Sequence, residues 1–165
     1  MKSRAKKGFT LVEILIVVII LGILAAIVIP QFTSASAEAR ISNLVTNLQT
    51  VRSQLLLYKT QHNEAYAGSA SDATLFGKQM TQYTDVSGGV SATPSSSYPF
   101  GPYLQSVPAN PISGVVTVTV VNSASTTFSA PSSDGGWWFN MATGEFRADL
   151  KDSWTKADST KLNTL

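Results

Sequence analysis

The apolar residues of this chain are concentrated in its first third, in one long uncharged run. Residues 14–37 contain no Asp, Glu, Lys or Arg, and Ile14–Ile29 reads ILIVVIILGILAAIVI. Counted from Phe9, the run has about 21 residues, or about 31 Å as an α-helix, which matches the hydrocarbon core of a bilayer. A core helix of a soluble protein rarely stays apolar on every side for this length. The run therefore predicts a transmembrane helix.

A second helical pattern follows this run without a break in the helical period. Apolar residues recur at spacings of three and four, which marks one apolar stripe: Ile41, Leu44, Val45, Leu48, Val51 and Leu55. Polar residues occupy most other positions. We therefore predict one long helix with a transmembrane half at residues 9–30 and an amphipathic half at residues 31–59. The apolar stripe of the second half is expected to pack on the strand-rich part of the same chain, residues 113–150, which we call the head.

The segments on either side of the predicted head are polar. Residues 60–112 are rich in Gly, Ser, Thr and Pro and predict a variable connecting region with a short helix at Ala73–Thr84. Residues 151–165 alternate Lys, Asp, Ser and Thr, which predicts a polar tail or a cover for a sheet edge.

Residues 113–150 carry the clearest strand signals. Val115–Val121 is β-branched and alternating, and Thr126–Ser129 is a candidate strand that returns against it. Gly136–Met141 and Glu145–Leu150 flank Ala-Thr-Gly, a hairpin signal. A small antiparallel sheet packed on the amphipathic helix follows, so the predicted fold class is α+β.

Positive charge is concentrated at the N-terminus. Four of the twelve basic residues precede the apolar run: Lys2, Arg4, Lys6 and Lys7. Without residues 1–8, the remaining eight basic residues face ten acidic ones, a formal side-chain charge of −2. The remaining chain therefore has no basic excess for binding a nucleic acid. A basic cluster before a membrane span instead predicts that the N-terminus stays in the cytoplasm.

Residue types that catalyse reactions or bind transition metals are scarce. The chain has no cysteine and a single histidine, His62. This composition excludes disulfides and thiolate sites and leaves almost no material for a zinc site or a Ser-His-Asp triad. We predict that the chain is not an enzyme.

An acidic residue, Glu13, lies at the start of the apolar run. A secretory signal peptide is the ordinary alternative for such an N-terminus, but this run is longer than a typical h-region. A carboxylate costs roughly 2.5–3.5 kcal/mol at the centre of a bilayer, and less near an interface, so it usually has a partner. The free α-amino group of a neighbouring copy, cut before Phe9, would be suitable. A carboxylate stabilised by the helix dipole is the other interpretation of Glu13.

The N-terminal residues resemble those of one protein family. Residues 7–13 read KGFTLVE before the apolar run, which resembles the class III signal of type IV prepilins and type II secretion pseudopilins. Leu21–Phe32, LGILAAIVIPQF, is similar to the helix of the same family, and a weaker likeness continues through Tyr58-Lys59. The resemblance implies a pilin-like fold.

The same resemblance implies a processing and assembly sequence. A membrane-embedded prepilin peptidase would cut between Gly8 and Phe9, removing residues 1–8 as a leader peptide, and would methylate the new amino group of Phe9. Glu13 would pair with that amino group on an adjacent subunit as copies join a helical filament. Removing one partner of such a pair would leave a buried charge uncompensated.

Two residues inside the span are further candidates for assembly. Gly22 with Ala26 forms a small-xxx-small pair that lets helices approach closely, although a small residue that faces lipid is an equal alternative. Pro30 removes one backbone hydrogen bond and is expected to kink or loosen the helix. The resemblance implies that helices stretch in this region during assembly.

Two features of the head suggest ligands, and each has a plainer interpretation. Strand alternation places Trp137 and Trp138 on opposite faces, one toward the helix and one toward a subunit contact or solvent; a sugar-binding or surface-binding platform is the alternative. The loop Ser132–Gly136 faintly resembles the loop where major secretion pseudopilins hold calcium. Calcium needs about six or more oxygen ligands, and only Asp134 and Asp149 are near. We predict a turn and no metal, with Asp134 as a weak calcium candidate.

Together these features predict a structural filament subunit without a cofactor. It would cross the bacterial inner membrane once, with its head outside, and its partners would be its own copies, prepilin peptidase and a pilus or secretion assembly platform. Within the family, the small head, the helix end at Leu57-Tyr58-Lys59 and the missing cysteine pair favour the major pseudopilin of a type II secretion system. A surface pilus for adhesion, motility or DNA uptake is the alternative. A monomeric anchored binding module is a more distant one.

Overall fold

A computed structural model describes residues 8–68 and 72–165 of the chain. The helices are α1 (Leu11–Gln61), α2 (Ala73–Thr81) and a 3₁₀ turn at Leu162–Thr164. The strands are β1 (Tyr83–Thr84), β2 (Val90–Ser91), β3 (Val118–Val121), β4 (Trp137–Asn140) and β5 (Glu145–Ala148). This combination confirms the α+β class. Residues 1–7, which contain the basic cluster of the predicted leader, lie outside the described residues.

Helix α1 contains both predicted halves of the long helix. It begins at Leu11 and ends at Gln61, close to the predicted range of 9–59. The chain divides into two compact units, Met1–Ala39 and Arg40–Leu165, and α1 contributes residues to both.

The described part of the first unit is mainly an exposed helix that is apolar over most of its length. Every described residue from Gly8 to Ala39 is exposed, including the large apolar side chains between Ile14 and Ile29. By length and composition, α1 has one segment that is able to cross a bilayer. Because apolar surface of this extent is unfavourable in water, lipid or other protein must cover it.

In the second unit, α1 buries the predicted stripe. Four apolar residues of the helix are almost completely buried together with an aromatic ring near its end: Leu44, Leu48, Val51, Leu55 and Tyr58. Ile41 packs against the same core, and Val45 is half-buried. The prediction of one apolar face, made from spacings of three and four, is confirmed.

The main sheet is mixed, and this corrects the predicted wholly antiparallel sheet. Strand β4 pairs antiparallel with β5, as the hairpin signal predicted, but β3 pairs parallel with β4. Parallel neighbours need a crossover connection of about a dozen or more residues, and residues 122–136 supply one. The predicted return strand Thr126–Ser129 is not a strand and belongs to this connection.

Strand register aligns two rows of apolar side chains on one face of the sheet. Val118, Trp137 and Ala148 form one row, and Val120, Phe139 and Phe146 form the next. All six are members of the buried core that contains the α1 stripe. Because alternate strand residues point to opposite faces, the sequence pattern at β3–β5 selects the side that packs on the helix.

The region 60–112 contains more order than a variable connection suggests. Helix α2 begins as predicted at Ala73, where the Asp72 carboxylate accepts bonds from the Thr74 and Leu75 N–H groups. It ends at Thr81 rather than at the predicted Thr84, because Thr84 pairs in β1 and its N–H donates to the Phe100 carbonyl.

Residues 151–165, here called the C-terminal strap, fold back onto the head. The strap contains the 3₁₀ turn, in which Leu162 and Asn163 are buried. Asn163 Nδ2 donates to the Leu150 carbonyl at 2.8 Å, and Arg147 of β5 donates to the Asn163 carbonyl at 3.3 Å. Of the two alternatives predicted for this segment, the geometry matches a cover for the sheet edge.

Candidate assembly and processing site

The predicted cleavage position is accessible in the described chain. A Cβ atom added at Gly8 would meet nothing within 4 Å, and the Phe9 side chain is 83% exposed. A protease needs an uncovered peptide bond, and Gly8, Phe9 and Thr10 are exposed and lie before the start of α1. Cleavage between Gly8 and Phe9 stays a prediction, since the rest of the leader lies in residues 1–7.

Thr10 and Glu13 form a reciprocal cap at the start of α1. Glu13 Oε2 accepts a bond from the Thr10 N–H at 2.7 Å and another from the Thr10 hydroxyl at 2.8 Å. In return, the Glu13 N–H donates to Thr10 Oγ1 at 3.2 Å. This arrangement is a capping box, in which an N-cap hydroxyl and an acidic side chain three residues later satisfy each other's N–H groups.

The two predicted assembly residues inside the span lie on the exposed helix. A Cβ atom at Gly22 would meet nothing within 4 Å, so its own subunit gives no packing reason for a glycine. Pro30 lies inside α1, which continues on both sides of it. Just beyond it, the Thr33 hydroxyl donates to the Ile29 carbonyl and the Ser34 hydroxyl to the Pro30 carbonyl. The assembly roles of both residues stay predictions.

Both tryptophans of β4 are buried, on opposite faces as the alternation predicted. Trp137 lies in the core, stacked with Phe146 at 5.4 Å between ring centroids, and its Nε1 donates to the Pro108 carbonyl at 2.7 Å. Trp138 lies under Phe128, which meets it edge-on at 5.5 Å. Since a ligand platform needs accessible rings, the geometry does not support the alternative of a sugar-binding site here.

Asp134, the weak calcium candidate, is surrounded by hydrogen-bond donors. Its Oδ1 accepts the Lys151 N–H at 3.0 Å, and its Oδ2 accepts the Trp154 indole N–H at 2.9 Å. Burial opposes ionisation of Asp134, but these N–H groups and the Lys151 ammonium together hold its pKa below the usual value. In residues 8–68 and 72–165, no three His, Cys, Asp or Glu side chains cluster as a metal site would require. This donor set does not fit calcium, which needs oxygen ligands.

Two residues with important contacts were not found from the sequence. Arg52 donates from Nε and Nη2 to the Phe146 carbonyl at 3.0 and 2.7 Å, and burial lowers the pKa of its guanidinium. Asn140 is fully buried and donates to the carbonyls of Ser123 and Thr126. Nothing in the sequence indicated the Arg52 contact, because Arg52 is one of several polar residues on the amphipathic half of the helix. A polar residue that ends an aromatic strand was the only signal for Asn140.

Comparison with known proteins places these residues in a family context. Residues 3–29 match the prokaryotic N-terminal methylation motif, which includes the predicted cleavage position, Glu13 and Gly22. No solved structure matches the chain.

Several characterised proteins are similar to about half of the chain or slightly more. It is 34% identical over 100 residues to the type IV major pilin protein PilE of Neisseria gonorrhoeae, covering 58% of this chain and 60% of that protein. It is 35% identical over 100 residues to a fimbrial protein of Neisseria meningitidis, covering 58% of this chain and 59% of that protein. It is 37% identical over 81 residues to type II secretion system core protein G of Pseudomonas aeruginosa, covering 49% of this chain and 56% of that protein.

These matches span less than two thirds of the length of each relative. The names of the relatives describe pilus and secretion proteins and no enzyme, in agreement with the prediction that the chain is not an enzyme. The resemblance predicted from residues 7–13 and from the apolar helix is thereby confirmed: the chain carries the N-terminal methylation motif and is similar to a type IV pilin and to a type II secretion core protein.

Proposed function

We propose that the chain is the precursor of a subunit of a type IV pilus-like filament that assembles from the inner membrane. One observation carries this proposal: the first part of α1 is exposed and uncharged from Ile14 to Ala37, and the acidic Glu13 comes directly before this run, shortly after Gly8-Phe9. The helix is able to cross a bilayer while the subunit is stored, and the same surface is available to other helices after extraction. The similarity to pilins and to a secretion core protein supports the same function.

The charge of Glu13 needs an explanation beyond the helix cap. A capping box forms with Gln as well as with Glu, so the cap alone does not require a charge in an apolar segment. A carboxylate surrounded by packed apolar helices would be costly unless a cation lies beside it. The amino group of Phe9 on an adjacent, cleaved subunit would supply that cation. Formation of this ion pair would then favour addition of each new subunit.

The filament type is proposed to be the pseudopilus of a type II secretion system. The similarity to core protein G, the position of Leu57-Tyr58-Lys59 near the end of α1, and the absence of cysteine support this assignment. The similarity to PilE and to fimbrial proteins favours a surface pilus as the second candidate.

Processing and location follow from the same proposal. Prepilin peptidase would remove residues 1–8 and methylate Phe9, and an assembly platform in the inner membrane would extract the subunit. The basic leader would keep the N-terminus in the cytoplasm. The head would lie outside the inner membrane, and in the filament it would form the surface.

Mass spectrometry of the mature N-terminus tests the proposal directly. The expected product begins at N-methylated Phe9 and is recovered in sheared filaments that are visible by electron microscopy. A mature protein that begins at any other residue, or one that stays as a monomer in the membrane when overproduced with its native assembly genes, would contradict the proposal.

The two filament types differ in the phenotype of a deletion strain. Loss of a pseudopilin is expected to leave exported proteins in the periplasm while surface pili stay intact. Loss of a pilin is expected to remove surface fibres and leave secretion unchanged. Complementation with the wild-type gene is the control for both readouts.

A further inference from the structure

The Asp134 carboxylate lies where the loop before β4 meets the C-terminal strap. Its two oxygens accept bonds from two residues of the strap, the Lys151 N–H and the Trp154 indole N–H. The Lys151 ammonium lies 3.7 Å from Asp134 Oδ2. The side chain of Asp134 is only 20% exposed, so these donors replace most of the water that a surface carboxylate would bind.

These contacts disagree with the calcium site that the family resemblance suggested for this loop. Calcium requires a shell of oxygen atoms, whereas three nitrogen groups surround Asp134, one of them a cation. The other nearby carboxylate, Asp149, packs closely against Gly135: its Oδ2 lies 2.5 Å from the point that a Cβ atom on this glycine would occupy. Burial raises the pKa of Asp149, which shows that its surroundings disfavour negative charge.

The same contacts fix the beginning of the strap. Trp154, held by Asp134 through its indole, accepts the Leu162 N–H on its backbone carbonyl at 2.9 Å. Leu162 and Asn163 are buried against the head, and Leu165 packs against the core. Asp134 is thereby linked through Trp154 to the buried end of the chain, whereas Trp154 itself stays 40% exposed.

We propose that Asp134 is the anchor of the C-terminal strap, and that the Lys151 ammonium occupies the place of a bound cation, so that the head keeps its strap without calcium. Asp134 is a positioning residue in this proposal. It acts on the strap through Lys151 and Trp154 and binds no external ligand.

Hydrogen exchange of the full-length protein in detergent, with either millimolar CaCl2 or EGTA, tests both parts of the proposal. In the wild type, exchange of the strap amides and the midpoint of thermal unfolding are expected to be the same in calcium and in EGTA. In Asp134→Asn, strap amides are expected to exchange about tenfold faster or more, because a charge-assisted anchor is lost. Asp158→Asn is the matched control: Asp158 lies in the same strap, and its carboxylate accepts a bond from the nearby Thr160 N–H.

A second variant keeps the test decisive if Asp134→Asn does not fold. Trp154→Phe removes the indole donor while the bonds between Asp134 and Lys151 remain, and its strap is expected to exchange faster than in the control. Slower exchange or a higher unfolding midpoint of the wild type in calcium would overturn the cation-free assignment. Strap exchange at the control rate in both variants would overturn the anchor.

Discussion

Thr10 and Glu13 satisfy each other at the first turn of α1, with the Thr10 N–H 2.7 Å from Glu13 Oε2 and the Glu13 N–H 3.2 Å from Thr10 Oγ1. Of the two interpretations of Glu13 from the sequence, this geometry supplies the helix-start role within a single chain. The proposed pairing with a neighbouring amino group is compatible with it, because the capping bonds form with Gln as well as with Glu, whereas the pairing requires a charge. One substitution therefore separates the two.

Glu13→Gln keeps the capping geometry and removes the charge. We expect this variant to insert into the membrane and to lose its leader at the normal rate, but to yield few filaments, because the neighbouring amino group lacks its counter-ion. Immunoblotting of precursor and mature forms, with quantification of the sheared fraction, measures both effects. Glu13→Asp is the charge-preserving comparison. Filament yields of Glu13→Gln equal to the wild type would leave only the capping role.

Gly8→Leu tests the predicted cleavage position. Position 8 has open space around its Cβ in the described chain, so the substitution is not expected to disturb the fold. We expect uncut precursor to accumulate on a gel, because a bulky side chain next to the cut bond would hinder binding to the peptidase. Gly77→Ala, on α2 and also with nothing within 4 Å of its Cβ, is the control. Normal processing of Gly8→Leu would refute the leader assignment.

Arg52 joins α1 to the edge of β5 that faces away from β4. The Asp149 N–H donates to the Gly136 carbonyl of the β4 side, and the alternation of antiparallel pairing then turns the Phe146 carbonyl away from β4. Arg52→Met would leave this carbonyl unpaired, so we expect the free energy of unfolding to fall by about 1–3 kcal/mol. Urea unfolding followed by tryptophan fluorescence measures the change.

The exposed Arg40 on the same helix provides the control Arg40→Met, for which no comparable loss is expected. Equal stability of Arg52→Met and Arg40→Met would mean that the contact with Phe146 contributes nothing.

Asn140 holds the crossover connection over the outer face of the sheet. Its side chain donates to the Ser123 and Thr126 carbonyls and accepts the Ala142 N–H. Asn140→Ala is expected to reduce the free energy of unfolding by about 1–3 kcal/mol, because the hydrogen bonds of a fully buried side chain to the connection are lost. Hydrogen exchange should become faster in residues 122–135. The exposed Asn122, changed to Ala, is the control, and an unchanged exchange rate in the connection would contradict the assignment.

Asp149 gives the head a pH dependence of defined sign. Burial raises the pKa of its carboxyl above the ordinary value of 3.8, despite a hydrogen bond with Thr119 that lowers it. The folded state therefore binds a proton more tightly than the unfolded state, and the stability from this group is lost as pH rises from 3.8 through the folded pKa. We expect Asp149→Asn to be more stable than the wild type at neutral pH. Its free energy of unfolding is also expected to change less between pH 3.8 and neutral pH than that of the wild type. A steeper profile in the variant would contradict this sign.

The sequence by itself determined the features that depend on local pattern. The uncharged run and the hairpin around Gly144 are signals within one continuous stretch, and the stripe at Leu44 and Leu48 and the alternation of Trp137 and Trp138 repeat with the period of a single helix or strand. These periods dictate which face becomes apolar, and burial follows from that. The KGFTLVE segment carried the family resemblance for the same reason, since it is one continuous stretch.

Only the tertiary structure decided which distant groups meet. The parallel pairing of β3 with β4, the bond from Arg52 to the Phe146 carbonyl and the anchoring of the strap by Asp134 each join residues from different elements. No periodic pattern encodes such pairs, because a polar side chain has the same local signature in solvent and on a buried carbonyl. Their partners are fixed when the sheet packs on α1 and the unpaired backbone groups at its edges must be satisfied.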